Sequence, residues 1–292
     1  MSDFDPIYVN SILSLRTTNL IQKKDFQNFS NDKEKMLSFL LSAGIDCIFS
    51  IEDGLEKSLF YFKEELVSLV GRDHFALFYF FFIYDISNIR SVYRNKHYNR
   101  EIVYNDLGSI GKNELINSII LGSRDIESSY YPLYEKLNAL SFSGEKDLIL
   151  KITSECFSFL RDKVSLVKNS FFHDLFEKEI LFKNLNLYFR DKNSLLPSLS
   201  KTGPDFRKEI ETNLNAIKNL EYGKVGVFLD GYFLNKDLFT LEINLKNLLV
   251  DSVLEISSSD ELDRSISCYI LRKFKEVTDI KSIFYLKEVV NG

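Results

Sequence analysis

The sequence predicts an all-α protein, and three observations support that fold class. Glycine (12) and proline (4) are scarce in a chain of 292 residues, whereas all-β folds need the many turns that these residues supply. Apolar residues recur mainly at intervals of three and four, which is the helical period. One helical segment also recurs three times at nearly equal separations, which indicates duplicated structural units.

The composition is that of a globular chain without a basic balance of charge. Hydrophobic residues make up 45% and charged residues 27%, so the chain can bury a sizeable core. The net charge of -5 offers no overall attraction to a phosphate backbone. We therefore expect no nucleic-acid partner.

The cysteines and the N-terminus predict a cytoplasmic location. Cys47, Cys156 and Cys268 are widely separated and form no C-x-x-C pair, so reduced, buried thiols are expected rather than disulfides or a zinc site. The opening MSDFDPIYVN lacks the pattern of a signal peptide. The longest apolar run, residues 75–84, is about half of the roughly 20 residues that a membrane span needs. We expect a protein that does not cross a membrane but can lie against a membrane protein.

Three stretches that contain glycine or proline interrupt the helical pattern. They are residues 97–113, 193–205 and 221–231. The glycines of the third stretch, Gly223, Gly226 and Gly231, do not form the G-x-G-x-x-G pattern of a dinucleotide site. They are interpreted as an interhelical loop.

Two helices are predicted most clearly. One spans residues 76–96, with apolar residues along one face. The other begins near Ser258, which is spaced from Glu261 as in a capping box, where a hydroxyl and a carboxylate satisfy exposed amides of the first turn. Apolar residues then recur from Leu262 to Phe284 at intervals of three and four, which indicates a long helix with one buried side.

The most informative feature is a twelve-residue segment that recurs three times. Residues 85–96 read DISNIRSVYRNK, residues 181–192 read LFKNLNLYFRDK and residues 276–287 read EVTDIKSIFYLK. The fourth position holds Asn88, Asn184 or Asp279, and each segment ends in lysine. The separations of 96 and 95 residues predict a triplicated helical unit. The alternative is chance similarity among amphipathic helices with basic ends, and the middle segment matches least well because it begins with leucine rather than an acid.

The recurring segments resemble a known protein family of the vacuolar- and archaeal-type rotary ATPases. YDISNIR at residues 84–90, followed by Arg94 and Lys96, is similar to the repeated signature of their central-stalk socket, the polypeptide designated C in archaeal and d in eukaryotic enzymes. YILRKFKEVTDIKSI at residues 269–283 resembles the C-terminal segment of that family. The N-terminal helix before residue 26 is also similar.

The resemblance extends over most of the chain and is thin between residues 100 and 170. Two positions depart from the family pattern. Asp279 stands where asparagine is expected, and Lys281 stands where arginine is expected.

The resemblance implies a specific architecture and function. The architecture is three related helical-bundle domains, residues 1–100, 101–196 and 197–292, arranged as a funnel about a pseudo-threefold axis. Such a chain is a non-catalytic central-stalk subunit, a socket that couples the central axle subunits to the membrane proteolipid ring during ATP-linked transport of H⁺ or Na⁺. It needs no cofactor, and it lies on the cytoplasmic face of the membrane through protein contacts.

No residue is predicted to be catalytic, to bind a cofactor or to ligate a metal. The candidates for a polar interior or a partner interface belong to the recurring segments, and they are Asp85, Asn88, Arg90, Arg94, Asn184, Arg190, Glu276, Asp279 and Lys281. Two roles are open for them. They either hold the bundles together through hydrogen bonds between segments, or they contact a partner directly.

Patterns that carry catalytic or nucleotide chemistry are incomplete. LGSIGKN at residues 107–113 lacks the earlier glycine and the following Ser or Thr of a phosphate-binding loop, because Asp106 and Asn113 occupy those positions. Glu177 and Glu179 are two residues apart, so they point in different directions on a helix. The alternatives to a coupling subunit are a helical repeat scaffold or adaptor of an unrelated complex, and an all-helical enzyme with an unrecognised site.

Overall fold

The structure is a computed structural model that describes residues 6–22, 24–25, 33–47, 50–122, 129–190, 195–197, 199, 201, 203–253 and 261–291. These residues form twelve α-helices and no strand, so the all-α prediction is confirmed. The helices are α1 (Pro6–Thr18), α2 (Lys33–Ser42), α3 (Ile51–Val70), α4 (Phe75–Tyr98), α5 (Lys112–Ile119), α6 (Tyr131–Asn138), α7 (Glu145–Leu166), α8 (Ser170–Arg190), α9 (Gly203–Lys218), α10 (Lys224–Asn235), α11 (Leu238–Val253) and α12 (Glu261–Asn291).

The chain divides into two compact units. Unit 1 combines residues 1–80 with residues 261–292, and unit 2 comprises residues 81–260. The first unit therefore joins the two ends of the chain. The division into domains at 1–100, 101–196 and 197–292 remains a prediction.

The core of unit 1 forms where α1 and α3 pack on α12. Val9 and Leu13 of α1 are buried at helical spacing. Phe62 of α3 packs on Tyr269 of α12, with ring centroids 4.9 Å apart. Apolar side chains three and four residues apart line one face of a helix, so each helix presents a continuous stripe to this core.

The core of unit 2 is rich in phenylalanine. Phe171, Phe172 and Phe176 of α8 are fully buried, and α8 packs on α7, α9 and α11. The pairs α9–α10 and α10–α11 also pack on each other. Each aromatic ring buries a large apolar area, and these rings fill the core.

The predicted helix at 76–96 is confirmed as α4. In the described part of the chain, α4 is also the one helix that is long and apolar enough to cross a membrane. Most of its apolar stretch is buried inside the protein, as in a core helix, so its composition is weak support for a membrane span. The start of the other predicted helix, at Ser258, lies outside the described residues; α12 is described from Glu261.

The predicted loop at 221–231 is wrong over most of its length. The turn ends at Gly223, whose φ is +82°, and Gly226 and Gly231 lie inside α10. Val225 and Leu229 are buried one turn apart, and this helical stripe outweighs the low propensity of the glycines. A Cβ on Gly226 would lie 2.8 Å from the Lys218 carbonyl oxygen, so glycine permits α10 to approach the end of α9 closely.

Candidate functional site

The first recurring segment holds its own following loop through a buried asparagine. Asn88 is 1% exposed. Its Nδ2 donates to the carbonyl oxygen of Asn105 at 2.8 Å, and its Oδ1 accepts from the Asn105 backbone N–H at 2.7 Å. The amide side chain thus satisfies both backbone groups of one residue. Paired in this way, a buried polar group stabilises the fold rather than costing desolvation energy.

Asp85 fixes the next part of the same loop. It lies one turn before Asn88 on α4 and is fully buried. Its Oδ1 accepts from the backbone N–H groups of Ser109 at 2.7 Å and Ile110 at 2.9 Å. Two backbone amides thus donate to one carboxylate oxygen. Asp85 and Asn88 together hold the loop at two points.

Gly108 is required by this arrangement. A Cβ at position 108 would overlap the Asp85 carboxylate and would lie 2.9 Å from Asn88 Nδ2. The sequence pattern LGSIGKN therefore has a packing role, because its first glycine lets the loop backbone approach the two side chains. No phosphate is needed to explain it.

The second recurring segment repeats the asparagine contact. Asn184 of α8 is fully buried. Its Nδ2 donates to the carbonyl oxygen of Leu196 at 2.9 Å, and its Oδ1 accepts from the Leu196 backbone N–H at 2.7 Å. Asn184 thus holds Leu196, in the segment after α8, in the same way that Asn88 holds Asn105 after α4.

An acid also accompanies Asn184, at a different position. Leu181 replaces the aspartate of the first segment. Glu177 lies one turn before Leu181 on α8, and its Oε1 accepts from the Leu199 backbone N–H at 2.8 Å. We name the two pairs, Asp85 with Asn88 and Glu177 with Asn184, the backbone anchors.

The third recurring segment holds the N-terminal part of the chain. Glu276 of α12 is 4% exposed, and its Oε1 accepts from the Ile21 backbone N–H at 2.8 Å. Glu276 also forms an ion pair with buried Lys273. Asp279 occupies the position of the asparagines, and its Oδ2 accepts from Lys275 Nζ at 2.8 Å. In the third segment Glu276 therefore contacts a backbone amide, as Asp85 does in the first, whereas Asp279 pairs with a lysine side chain.

The basic candidates lie nearer to solvent than the acids and amides. Arg94 Nε donates to Glu145 Oε1 at 2.6 Å, and Arg190 Nη2 donates to Glu242 Oε2 at 2.8 Å. Arg90 is half-buried, and burial, with a smaller effect from the charge of Arg94, lowers its pKa.

Lys281 is also half-buried. The structure thus brings Asp85 and Asn88 together at one loop, whereas Asn184, Glu276, Arg94 and Arg190 each contact a different residue. The lysines that end the second and third segments lie outside the residues whose side chains are described.

Three further residues belong to these contacts although the sequence patterns do not assign them this role. Glu177 has the pattern of a surface carboxylate, Gly108 belongs to an incomplete phosphate loop, and no pattern marks Glu145. A signal for Glu177 does exist, because it precedes Asn184 by seven residues, which is two helical turns.

The phenols and the thiol near the first anchor are held in their neutral forms. Burial raises the pKa of Tyr130, and the charge of Asp85 raises it further. Burial and the charge of Glu114 likewise raise the pKa of Tyr134. Burial raises the pKa of the Cys156 thiol, so it is a poor nucleophile. Among the described residues, no group of three or more His, Cys, Asp or Glu side chains is arranged to hold a metal ion.

Comparison with known proteins does not assign the chain to a family. No family model matches the sequence, and no curated protein matches it either.

Proposed function

We propose that the chain is a non-catalytic central-stalk subunit of a V/A-type rotary ATPase. It would couple the central axle to the membrane proteolipid ring during ATP-linked transport of H⁺ or Na⁺. One observation carries the proposal beyond the sequence resemblance. Asn88 and Asn184, at the same position of two segments 96 residues apart, make the same pair of hydrogen bonds to a following residue.

The proposal includes three related helical domains about a pseudo-threefold axis. The backbone anchors support an internal repeat, because a shared contact at an equivalent position is harder to obtain by chance than a shared helical pattern. The third segment supports the repeat through Glu276, which also binds a backbone amide. That amide belongs to Ile21, so this hydrogen bond joins α12 to the N-terminal part of the chain.

The contacts suit a part that transmits torque. A socket between two rotating bodies needs a stiff structure, and loops between helices are its most deformable parts. The anchors tie such loops to helix faces through hydrogen bonds from buried side chains, which resist local opening. The buried polar residues would thus keep the body rigid, while exposed side chains meet the partners.

The partners follow from the proposed role. The axle subunits would contact polar side chains of the socket, and the proteolipid ring would contact another face, so the chain would lie peripherally on the cytoplasmic side of the membrane. ATP would be hydrolysed or made on other subunits, and this chain would need no cofactor.

Reconstitution tests this function. The purified chain should bind the isolated axle subunit and co-purify with the detergent-solubilised ring when the other central-stalk subunits are present. Removing it should leave ATP hydrolysis by the catalytic subunits while abolishing ATP-driven ion pumping. If neither association forms with all partners present, or if pumping is intact without the chain, the proposal is wrong and a scaffold of an unrelated complex becomes the better explanation.

A further inference from the structure

An ion pair recurs together with the asparagine contact of the first two segments. Arg94 Nε donates to Glu145 Oε1 at 2.6 Å, and Arg190 Nη2 donates to Glu242 Oε2 at 2.8 Å. The two partners are 51 residues apart in the first pair and 52 in the second. Arg94 and Arg190 both hold the tenth position of their segment. A contact that recurs between equivalent positions favours a structural role for this pair.

The sixth position of the recurring segment has different surroundings. It holds Arg90 in the first segment, Asn186 in the second and Lys281 in the third. Asn186 is 7% exposed and donates to the Leu238 carbonyl oxygen at 3.5 Å. Arg90 and Lys281 are half-buried, and within the described part of the chain neither side chain forms a hydrogen bond or an ion pair. The cations at the sixth position thus lack the carboxylate partner that the arginines at the tenth position have.

The surroundings of Arg90 leave its charge uncompensated. Burial has the largest effect on its pKa and lowers it, the Cys156 side chain opposes this shift, and the charge of Arg94 adds to it. Asp85, the one acid of α4, accepts from loop amides. Glu155 of α7 is half-buried and makes no ion pair with Arg90. A partly desolvated cation without a counter-ion costs folding free energy, so Arg90 calls for an anion that the described chain does not supply.

The side of α4 that carries Arg90 is open to solvent. Ile83 precedes Arg90 by seven residues, or two helical turns, and is 44% exposed. Ser87 lies between them and is exposed. This side of α4 therefore presents an apolar side chain, a hydroxyl and a cation to the outside, with no acid of α4 among them. A partner surface that carries a carboxylate complements it.

We infer that Arg90 and Lys281 each bind a carboxylate of the axle subunit. The identity of this partner rests on the proposed function, whereas the charge of the partner follows from the two cations. Guanidinium and ammonium groups form charge-assisted hydrogen bonds with carboxylates, and the attraction is stronger at a partly buried site than in open water. Arg90 belongs to unit 2 and Lys281 to unit 1, so each unit contributes one contact. In the first segment Asn88 and Arg94 would then hold the fold, while Arg90 meets the partner.

Titration of the purified axle subunit against the full-length chain, with the other central-stalk subunits present, tests the inference. Arg90→Gln and Lys281→Gln should each weaken axle binding about tenfold, because each removes one charged contact at a partly desolvated site. Arg90→Lys should restore part of the lost affinity, since it keeps the charge but not the planar donors. Added salt should weaken the wild-type complex more than it weakens the complex of either glutamine variant.

Lys168→Gln and Arg72→Gln are the matched controls. They remove the same charge from unit 2 and unit 1, but both side chains are exposed, so axle affinity should be nearly unchanged. Melting temperatures separate binding from folding. An uncompensated cation does not stabilise the fold, so Arg90→Gln and Lys281→Gln should melt no lower than the wild type.

The outcomes distinguish this inference from the proposed function. If the wild type binds the axle and the glutamine variants bind it as tightly, the inference is wrong while the proposed function stands. If the controls weaken binding as much as the variants of Arg90 and Lys281 do, the effect is one of net charge and the inference is again wrong. A loss of affinity with a lower melting temperature would assign these cations a structural role and overturn it. If the wild type does not bind the axle at all, the proposed function and this inference fail together.

Discussion

Asn88 and Asn184 make the same contact at positions 96 residues apart. Each side chain donates to the carbonyl oxygen and accepts from the N–H of one residue beyond its own helix, Asn105 or Leu196. An asparagine side chain has one carbonyl and one amino group, so it matches the two backbone groups of a single residue. Aspartate cannot make this pair when ionised because it only accepts, which explains why Asp279 pairs with a lysine instead.

Removing either asparagine should destabilise the protein. Asn88→Ala removes these partners from the backbone N–H and C=O of half-buried Asn105, and Asn184→Ala removes them from those of buried Leu196, so each should cost about 2–3 kcal/mol of unfolding free energy. Asn95→Ala is the control, because Asn95 also donates to a backbone oxygen, that of Arg100, but at an exposed site. Its cost should stay below about 1 kcal/mol. Urea titrations followed by circular dichroism measure all three, and equal costs for the buried and exposed variants would contradict the anchoring role.

Gly108→Ala should be destabilising for a steric reason. Its Cβ would overlap the Asp85 carboxylate, so the loop must move away and weaken the anchor, at a cost of about 1–3 kcal/mol. Gly111→Ala is the matched control in the same loop, since a Cβ there meets nothing within 4 Å. The melting temperature should fall for the first variant and remain nearly constant for the second. A similar fall for both would mean that the loop needs glycine for its backbone freedom rather than for the close approach.

The helices were more predictable than the contacts that join them. The period of apolar residues located α4 within two residues of its ends, and the recurrence selected Asn88 and Asn184. The partners Asn105 and Leu196 could not be predicted, because a bond from a side chain to a backbone group depends on the path of a loop and carries no periodic signal. Gly226 misled the prediction because a glycine inside a close-packed helix has the same sequence signature as one in a loop.

Glu276 should control the attachment of the N-terminal segment. Glu276→Gln and Glu276→Ala both leave Lys273, which is 7% exposed, without its carboxylate, but only the glutamine keeps an oxygen that can accept from the Ile21 amide. Loss of one partner of a buried ion pair costs about 3–5 kcal/mol. Hydrogen exchange should show that the Ile21 amide stays protected in the glutamine variant and loses protection in the alanine variant. Equal loss in both would show that charge, rather than the hydrogen bond, holds the segment.

Variants of Arg94 and Glu145 distinguish a structural role of Arg94 from a direct contact with a partner. Its side chain is 42% exposed in the pair with Glu145, so Arg94→Ala should cost less than about 1 kcal/mol of stability. Glu145→Ala breaks the same ion pair but keeps the arginine for a partner. If Arg94 contacts the axle, only Arg94→Ala should weaken axle binding in a titration. Equal weakening by both variants would show that Arg94 acts through its contact with Glu145.

The buried tyrosines should make unit 2 sensitive to alkaline pH. Burial raises the pKa of Tyr93, Tyr130 and Tyr134 above the ordinary value of 10.0, so the folded protein keeps protons that the unfolded chain releases. The unfolded state then binds fewer protons, and stability falls as pH rises above about 10, while these phenols have no effect well below that pH. Each such group contributes up to about 1.4 kcal/mol per pH unit. Tyr134→Phe should therefore make the alkaline fall in melting temperature less steep. Tyr222→Phe, at a side chain that is 89% exposed, should leave the steepness unchanged, and a slope that is the same for both variants would rule out Tyr134 as a source of the alkaline sensitivity.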